Sequence, residues 1–298
     1  MTSPLNDDLV GAFQIEGEPV RGRIARLGPA IDSILEGHNY PESVANLLGE
    51  ACALASLVGS NLKFDGRLIL QAQGSGPVRY VVADYDTSGG LRGYCRFDED
   101  EVAKAAQGFQ RPGARTLLGD GVFVMTVDQG PDMDRYQGVT AIEGETLALC
   151  AEQYFAQSEQ TPTRVRLAVA QSDEGGRWRA GGMLIQNIAE DDARGSTEEA
   201  WTRTQAFFET VGEDELTDPE LSSDQLLFRL FHEDGVRVFG SKPLRAFCRC
   251  SQDRIETVLK SFPAEDRAEM VEPDGKIHVT CEYCSRVYSV EPEKLEAA

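Results

Sequence analysis

RLILQAQGSGPVRYVVAD, residues 67–84, decides the reading of the fold. Two runs rich in strand-forming residues, Arg67–Gln73 and Val78–Asp84, flank Gly74-Ser75-Gly76-Pro77. Glycine and proline together punctuate a chain as a turn, so the stretch predicts two strands folded back on each other. Working outward, a second turn at Asp86–Gly90 leads into a strand at Leu91–Phe97, and Val122–Val127 is another. Gln14–Leu27 alternates apolar and polar residues in part, as one strand would, and Val165, Leu167 and Val169 alternate likewise. After Tyr40-Pro41, the apolar residues Val44, Leu47, Leu48, Ala51, Leu54, Ala55 and Val58 recur at three and four, predicting a helix with one buried stripe. Thr146–Phe155 reads as a further helix. Residues 1–180 are thus expected to form an α+β core domain, a mostly antiparallel sheet with helices packed on it.

Residues 181–231 read as a helical linker. The chain turns polar at Ser172–Gly176 and again at Ala189–Gly195. Ser196 and Glu199 then stand at capping-box spacing. Trp201, Thr204, Phe207, Phe208 and Val211 follow at helical intervals, and a second helix is expected after Asp218-Pro219, carrying Leu221, Leu226, Leu227, Leu230 and Phe231. Two readings of these helices stand side by side: they pack on the core or on each other, or they form a conditional surface for partner proteins through Trp201, Phe207, Phe208, Leu227, Leu230 and Phe231.

Residues 232–298 read as a third, small unit. Val236–Phe239 suggests a short strand, and Ile255, Val258, Leu259 and Phe262 a helix, with Pro263 opening another. Pro273-Asp274-Gly275 is a turn, and strands at Ile277–Thr280 and Val287–Val290 flank a cysteine pair in the manner of a zinc-ribbon knuckle.

The 298 residues carry 29 Lys+Arg against 50 Asp+Glu, net −21. Such a polyanion is repelled by nucleic acid and by anionic membranes. Residues 232–298, with 13 acidic and 10 basic side chains, offer no basic face either. No run of 18 or more apolar residues exists, so no membrane span is expected. The first ten residues lack a basic-plus-apolar secretory pattern, so the expected compartment is the cytoplasm, where thiols stay reduced.

Seven cysteines divide into two groups. Cys52, Cys95 and Cys150 are isolated among apolar residues and read as small buried hydrophobes. Cys248-Arg249-Cys250 and Cys281-Glu282-Tyr283-Cys284 form a CxC and a CxxC pair. Zn²⁺ prefers four tetrahedral ligands with thiolate as its favoured structural donor, so Cys248, Cys250, Cys281 and Cys284 are expected to hold one zinc per chain. Four thiolates leave no position for water or substrate, which disfavours catalytic zinc. His38, His232 and His278 are too scattered to compete as ligands, Gly74-Ser75-Gly76 lacks the remainder of a phosphate loop, and no nucleophile–base arrangement appears, so the chain reads as a non-enzyme. A unit of 67 residues has a thin core. Structural zinc is worth about 10–16 kcal/mol in small finger peptides, so losing it would unfold the unit. Zinc-bound sulfurs are thiolates, the form oxidants attack, and each pair is close enough in sequence for a local disulfide that would eject the metal. The residues alone leave two alternatives: a purely structural zinc ribbon, belonging to an enzyme or a binding module, or a redox switch.

The CxC–x30–CxxC pattern at the end of an acidic chain of this length resembles the heat-shock protein 33 family. Further blocks carry the resemblance in order: Gln71–Tyr80, Leu91-Arg92-Gly93-Tyr94, Tyr136-Gln137-Gly138-Val139, Tyr154-Phe155 with Ser158-Glu159-Gln160, and Ala180–Gln186. The resemblance implies a core domain, a helical linker and a zinc redox-switch domain in an ATP-independent holdase. It implies a silent, reduced, zinc-bound form. Oxidation would form Cys248–Cys250 and Cys281–Cys284 disulfides, release zinc, destabilise the linker, and switch on binding of unfolding client proteins, with homodimerisation.

Overall fold

The structure is a computed structural model and describes residues 7–109, 111–130, 133–172, 176–188 and 198–296. The polar loop expected at Ala189–Gly195, the Ser196 cap and most of the Ser172–Gly176 turn lie outside the described residues. The chain divides into two units between Ala246 and Phe247. In the first unit the strands are β1 (Leu9–Ile15), β2 (Val20–Leu27), β3 (Arg67–Gly74), β4 (Val78–Asp86), β5 (Gly90–Phe97), β6 (Gly121–Asp128), β7 (Tyr136–Ala141), β8 (Thr163–Gln171), β9 (Trp178–Asn187), β10 (Val236–Val238), β11 (Lys242–Pro243) and β12 (Arg245–Ala246).

The 67–84 hairpin forms as expected, with Arg67 opposite Asp86 and Gln73 opposite Tyr80. The turn between them is held down from outside: Gly76 N donates to Leu118 O at 2.7 Å. A Cβ on Gly74 would lie 2.1 Å from Leu118 O, so only glycine fits there. The hairpin sits inside a sheet of order β12-β5-β4-β3-β6-β7, antiparallel except for the β12–β5 pair. A second sheet runs β10-β1-β2-β9-β8, with β11 also on β1, and is antiparallel throughout. The fold is α+β with antiparallel sheets.

Three expectations need correction. Gln14–Leu27 is not one strand. Gly17 adopts φ +75°, a conformation glycine takes readily, and the chain reverses there, so β1 and β2 become neighbours. The helix after Pro41, Glu42–Gly59, is buried at 14 of its 18 residues rather than along one stripe, because it lies between the two sheets and touches strands of both. Small residues make this possible: a Cβ on Gly49 would meet Val169 at 2.7 Å, and one on Gly59 would meet Tyr85 at 2.3 Å. The second linker helix does start after Asp218-Pro219 but leaves out Leu221: it begins at Ser223, since Ser222 and Gln225 form the capping box, with Gln225 N donating to Ser222 Oγ at 3.2 Å.

The expected boundary at residue 180 falls inside β9, and the strand expected before Cys248 pairs with β1 in the first unit. Trp178–Asn187 is held by its neighbours β2 and β8 along its whole length, which local sequence does not reveal.

One face of the β1-β2-β9-β8 sheet meets the central helix. The other is covered by the segment 198–231, comprising helices Glu198–Phe208, Glu213–Thr217 and Ser223–Phe231. Phe13, Ile15, Val20, Ile24, Met183 and Ile185 of the sheet pack with Phe208, Val211, Leu216, Leu226, Leu227, Leu230 and Phe231 in one apolar cluster. The alternation along β2 explains the two-sided burial. Ile24 faces this cluster while Ala25 belongs to the central core.

Candidate metal centre

In the second unit, helices Gln252–Lys260 and Ala264–Glu269 precede an antiparallel pair, β13 (Ile277–Thr280) and β14 (Val287–Val290). Pro263 stands at the N-cap of the second helix, where its missing N–H costs nothing. The core is small: Leu259, Ile277, Val290 and Leu295 are buried, with Ile255, Met270, Val271 and Val279 packed around them.

The turn between β13 and β14 is the CxxC knuckle. Ser285 N donates to Cys281 O at 2.8 Å and Cys281 N to Arg286 O at 2.9 Å, with Ser285 at φ +54°. This curls Cys281 and Cys284 to one side. Cys248 and Cys250 enter on an irregular segment that ends at Ser251, whose hydroxyl caps the helix Gln252–Lys260 by accepting from Arg254 N.

The four sulfurs converge, all within 4.8 Å of one another. Cys248 Sγ is 3.7 Å from Cys281 Sγ and Cys250 Sγ is 3.4 Å from Cys284 Sγ. A Zn–S bond of about 2.3 Å sets tetrahedral sulfurs about 3.8 Å apart, so the cluster has the dimensions of a Cys₄ metal site. All seven cysteines are free thiols, which makes this the reduced arrangement.

Electrostatics point the same way. At Cys250 burial pushes the thiol up, but hydrogen bonds from Tyr288, Cys248, Cys284 and Cys281 outweigh it and bring the thiol down to about 7. Cys284 is pushed up to about 12, by burial first and then by its sulfur neighbours. Cys281 is raised too, again chiefly by burial. Four sulfurs this close cannot all shed protons unless a cation answers their charge. Tyr288, on β14, donates its hydroxyl to Cys250 Sγ at 3.0 Å, and the exposed Arg286 interacts with Tyr288, Cys250 and Cys284. Sequence reading missed both residues, since nothing local marks a tyrosine four positions past a cysteine as its partner.

The other titratable candidates are engaged elsewhere. His278 Nε2 lies 2.8 Å from Asp274 Oδ2 and its Nδ1 3.0 Å from Ser289 Oγ. His38 stacks on Tyr40, and His232 Nδ1 lies 3.0 Å from Phe228 O. Cys52, Cys95 and Cys150 are buried, with Cys52 pushed up to about 12 by burial, as expected of small hydrophobes. Of the six aromatic and aliphatic residues expected to form a conditional surface, Phe208, Leu227, Leu230 and Phe231 are fully buried against the sheet. Trp201 and Phe207 are half-buried against the same cluster. Phe228, absent from that set, is the exposed one at 65%.

Comparison with known proteins agrees with this architecture. The family model described as Hsp33 protein matches residues 8–291. A 33 kDa chaperonin of Caulobacter vibrioides is 74% identical over 288 residues, covering 96% of this chain and 95% of the relative. One of Escherichia coli is 34% identical over 281 residues, covering 94% and 91%. The crystal structure of the 33 kDa chaperonin (Hsp33 homologue) of Thermotoga maritima superposes with a TM-score of 0.81 at 23% identity, covering 97% of both chains, and so shares the fold. With the family model spanning nearly all of the sequence and relatives matched from end to end, the chain belongs to the Hsp33 family of chaperones.

Proposed function

We propose that the protein is a redox-regulated, ATP-independent holdase of the cytoplasm, with no enzymatic activity, whose switch is a zinc ion held by Cys248, Cys250, Cys281 and Cys284. The observation that carries this reading is the gathering of four free thiols within 4.8 Å in a unit with only a thin apolar core. One zinc per chain would supply the folding energy this core lacks, about 10–16 kcal/mol in comparable small sites.

Oxidation converts two thiolates of each pair into a disulfide, Cys248–Cys250 and Cys281–Cys284, passing two electrons per bond to the oxidant. A disulfide is a poor ligand, so the metal leaves and residues 247–298 lose their organising centre. In a reducing compartment these bonds are transient. The segment 198–231 precedes this unit in the chain, separated from it by residues 232–246, and covers an apolar sheet face. Its departure bares Phe13, Ile24, Met183 and Ile185 together with its own Phe208, Leu227, Leu230 and Phe231. Such a surface suits the exposed apolar segments of unfolding clients, and two activated chains would pair through it as a homodimer.

The test follows zinc release with a chromogenic chelator while peroxide or hypochlorous acid oxidises the protein, with aggregation of a thermally unfolded client measured in parallel. Expected are release of about one zinc per chain, gained holdase activity, and reversal by dithiol plus zinc. Zinc release without holdase activity would return the cysteines to a purely structural role.

A further inference from the structure

The lid formed by residues 198–231 is fastened at its midpoint by something other than apolar packing. Four consecutive backbone carbonyls at the C-terminal end of the short helix Glu213–Thr217 are taken by two arginines of the underlying sheet. Arg26 on β2 donates from Nη2 to Glu215 O at 2.7 Å and from Nη1 to Asp218 O at 2.8 Å, with Leu216 O at 3.5 Å. Arg179 on β9 donates from Nε to Thr217 O at 2.6 Å. Gly181, directly opposite Arg26 in the β2–β9 register, completes the socket. A Cβ there would lie 2.1 Å from Leu216 O, so glycine is what lets the lid's backbone reach the sheet.

The two arginines are not alike. Arg179 has its charge answered by Asp7, Nη1 to Oδ2 at 2.7 Å. Arg26 is 1% exposed, has no carboxylate within ion-pair distance among the described residues, and leaves its Nε without a partner. A buried charge satisfied only in part is no net gain in stability, yet deleting it strands the lid carbonyls it serves. What it supplies instead is conditional recognition. The carbonyls converge on Arg26 only while residues 213–218 hold their helical turn, where free carbonyls and the helix dipole both favour a cation.

We propose that Arg26, with Gly181 and Arg179, is a latch that positions the lid on the apolar sheet face, and that this latch together with the metal centre sets how readily the lid leaves. The proposal rests on the reading that lid departure exposes the client surface.

The test uses the full-length chain, reduced and zinc-loaded, as Arg26→Met, Arg26→Lys and Gly181→Ala. Hydrogen exchange would be read separately over the lid helix Ser223–Phe231 and over the β3–β4 hairpin, together with bound zinc and client aggregation. Expected for Arg26→Met and Gly181→Ala is at least about tenfold faster lid exchange, with hairpin exchange and zinc content unchanged and client binding gained without oxidant. Arg26→Lys should recover part of the protection. Lid exchange equal to wild type in both variants, or a rise shared equally by the hairpin, would overturn the latch. A lid that opens on schedule without client binding would sustain the latch and sink the client-surface reading instead.

Discussion

Two apolar assemblies in this molecule hold together for different reasons. The cluster between the sheet and the lid brings together fourteen buried side chains, among them Phe13 and Phe231, whose rings stack with centroids 5.9 Å apart. The second unit buries four, Leu259, Ile277, Val290 and Leu295, and gathers four thiols beside them. The first assembly rests chiefly on water's preference for losing apolar surface, with Arg26 and Arg179 fastening the lid's carbonyls at one point. The second has little of that, and on the proposed reading it borrows a metal's binding energy. On the same reading, a chemical signal that removes the metal-held part lets the sheet–lid cluster open, while the separate central core around the β3–β4 hairpin keeps its fold.

Metal removal should separate the second unit from the central core most sharply. Stripping zinc, or the double change Cys281→Ser with Cys284→Ser, withdraws about 10–16 kcal/mol from the second unit. Amide protection over Ile277–Thr280 should vanish while the β3–β4 hairpin stays protected. Protection of both after chelation would erase the contrast.

Phe231→Ala should act on the other side. Truncating this fully buried ring costs about 3–5 kcal/mol at the lid cluster and should raise binding of an apolar dye without releasing zinc. Dye binding that rises only as zinc is lost would tie the two assemblies into one cooperative unit.

Acidity should push the first unit's central core and the second unit in opposite senses. Glu50, on the central helix, has its carboxyl pushed up to about 7 by burial, against the pull of Arg111, with Glu213 adding to the rise. Folded chains therefore keep this proton where unfolded chains release it. The stability it contributes is full below about 4.5 and lost as pH rises through about 7, at most about 3 kcal/mol. Cysteine ligands must be deprotonated, so the metal-held unit weakens as pH falls. Melting of the first unit at pH 5 and pH 8, for wild type and Glu50→Gln, should show a pH dependence that the substitution flattens. An unchanged slope in Glu50→Gln would assign the dependence elsewhere.

Smallest of all, Ser222→Ala removes the cap of the lid helix Ser223–Phe231 and should cost about 1 kcal/mol, read as faster exchange confined to that helix.

The sequence made the local features legible. Strand pattern and the Gly74–Pro77 turn were enough for the 67–84 hairpin, and ligand spacing was enough to single out Cys248, Cys250, Cys281 and Cys284, which the fold brings together. What it hid was long-range. The strands at Val236–Val238 and Arg245–Ala246 look like part of the cysteine unit because they adjoin it, yet their partners are β1 and β5, more than 150 residues earlier. The helix Glu213–Thr217 is too short for periodicity to show, and is held by Arg26, which nothing in the local sequence marks as its partner. Burial on all sides of the Glu42–Gly59 helix likewise depends on a second sheet that no local pattern announces.

The most direct measurement follows hydrogen exchange along the whole chain before and after oxidation with zinc release. Expected is loss of protection over residues 277–290 and over 198–231 together, with residues 67–86 still protected and holdase activity appearing at the same oxidant dose. Protection retained over 198–231 in a zinc-free, client-binding chain would contradict the central claim that losing the metal uncovers the sheet.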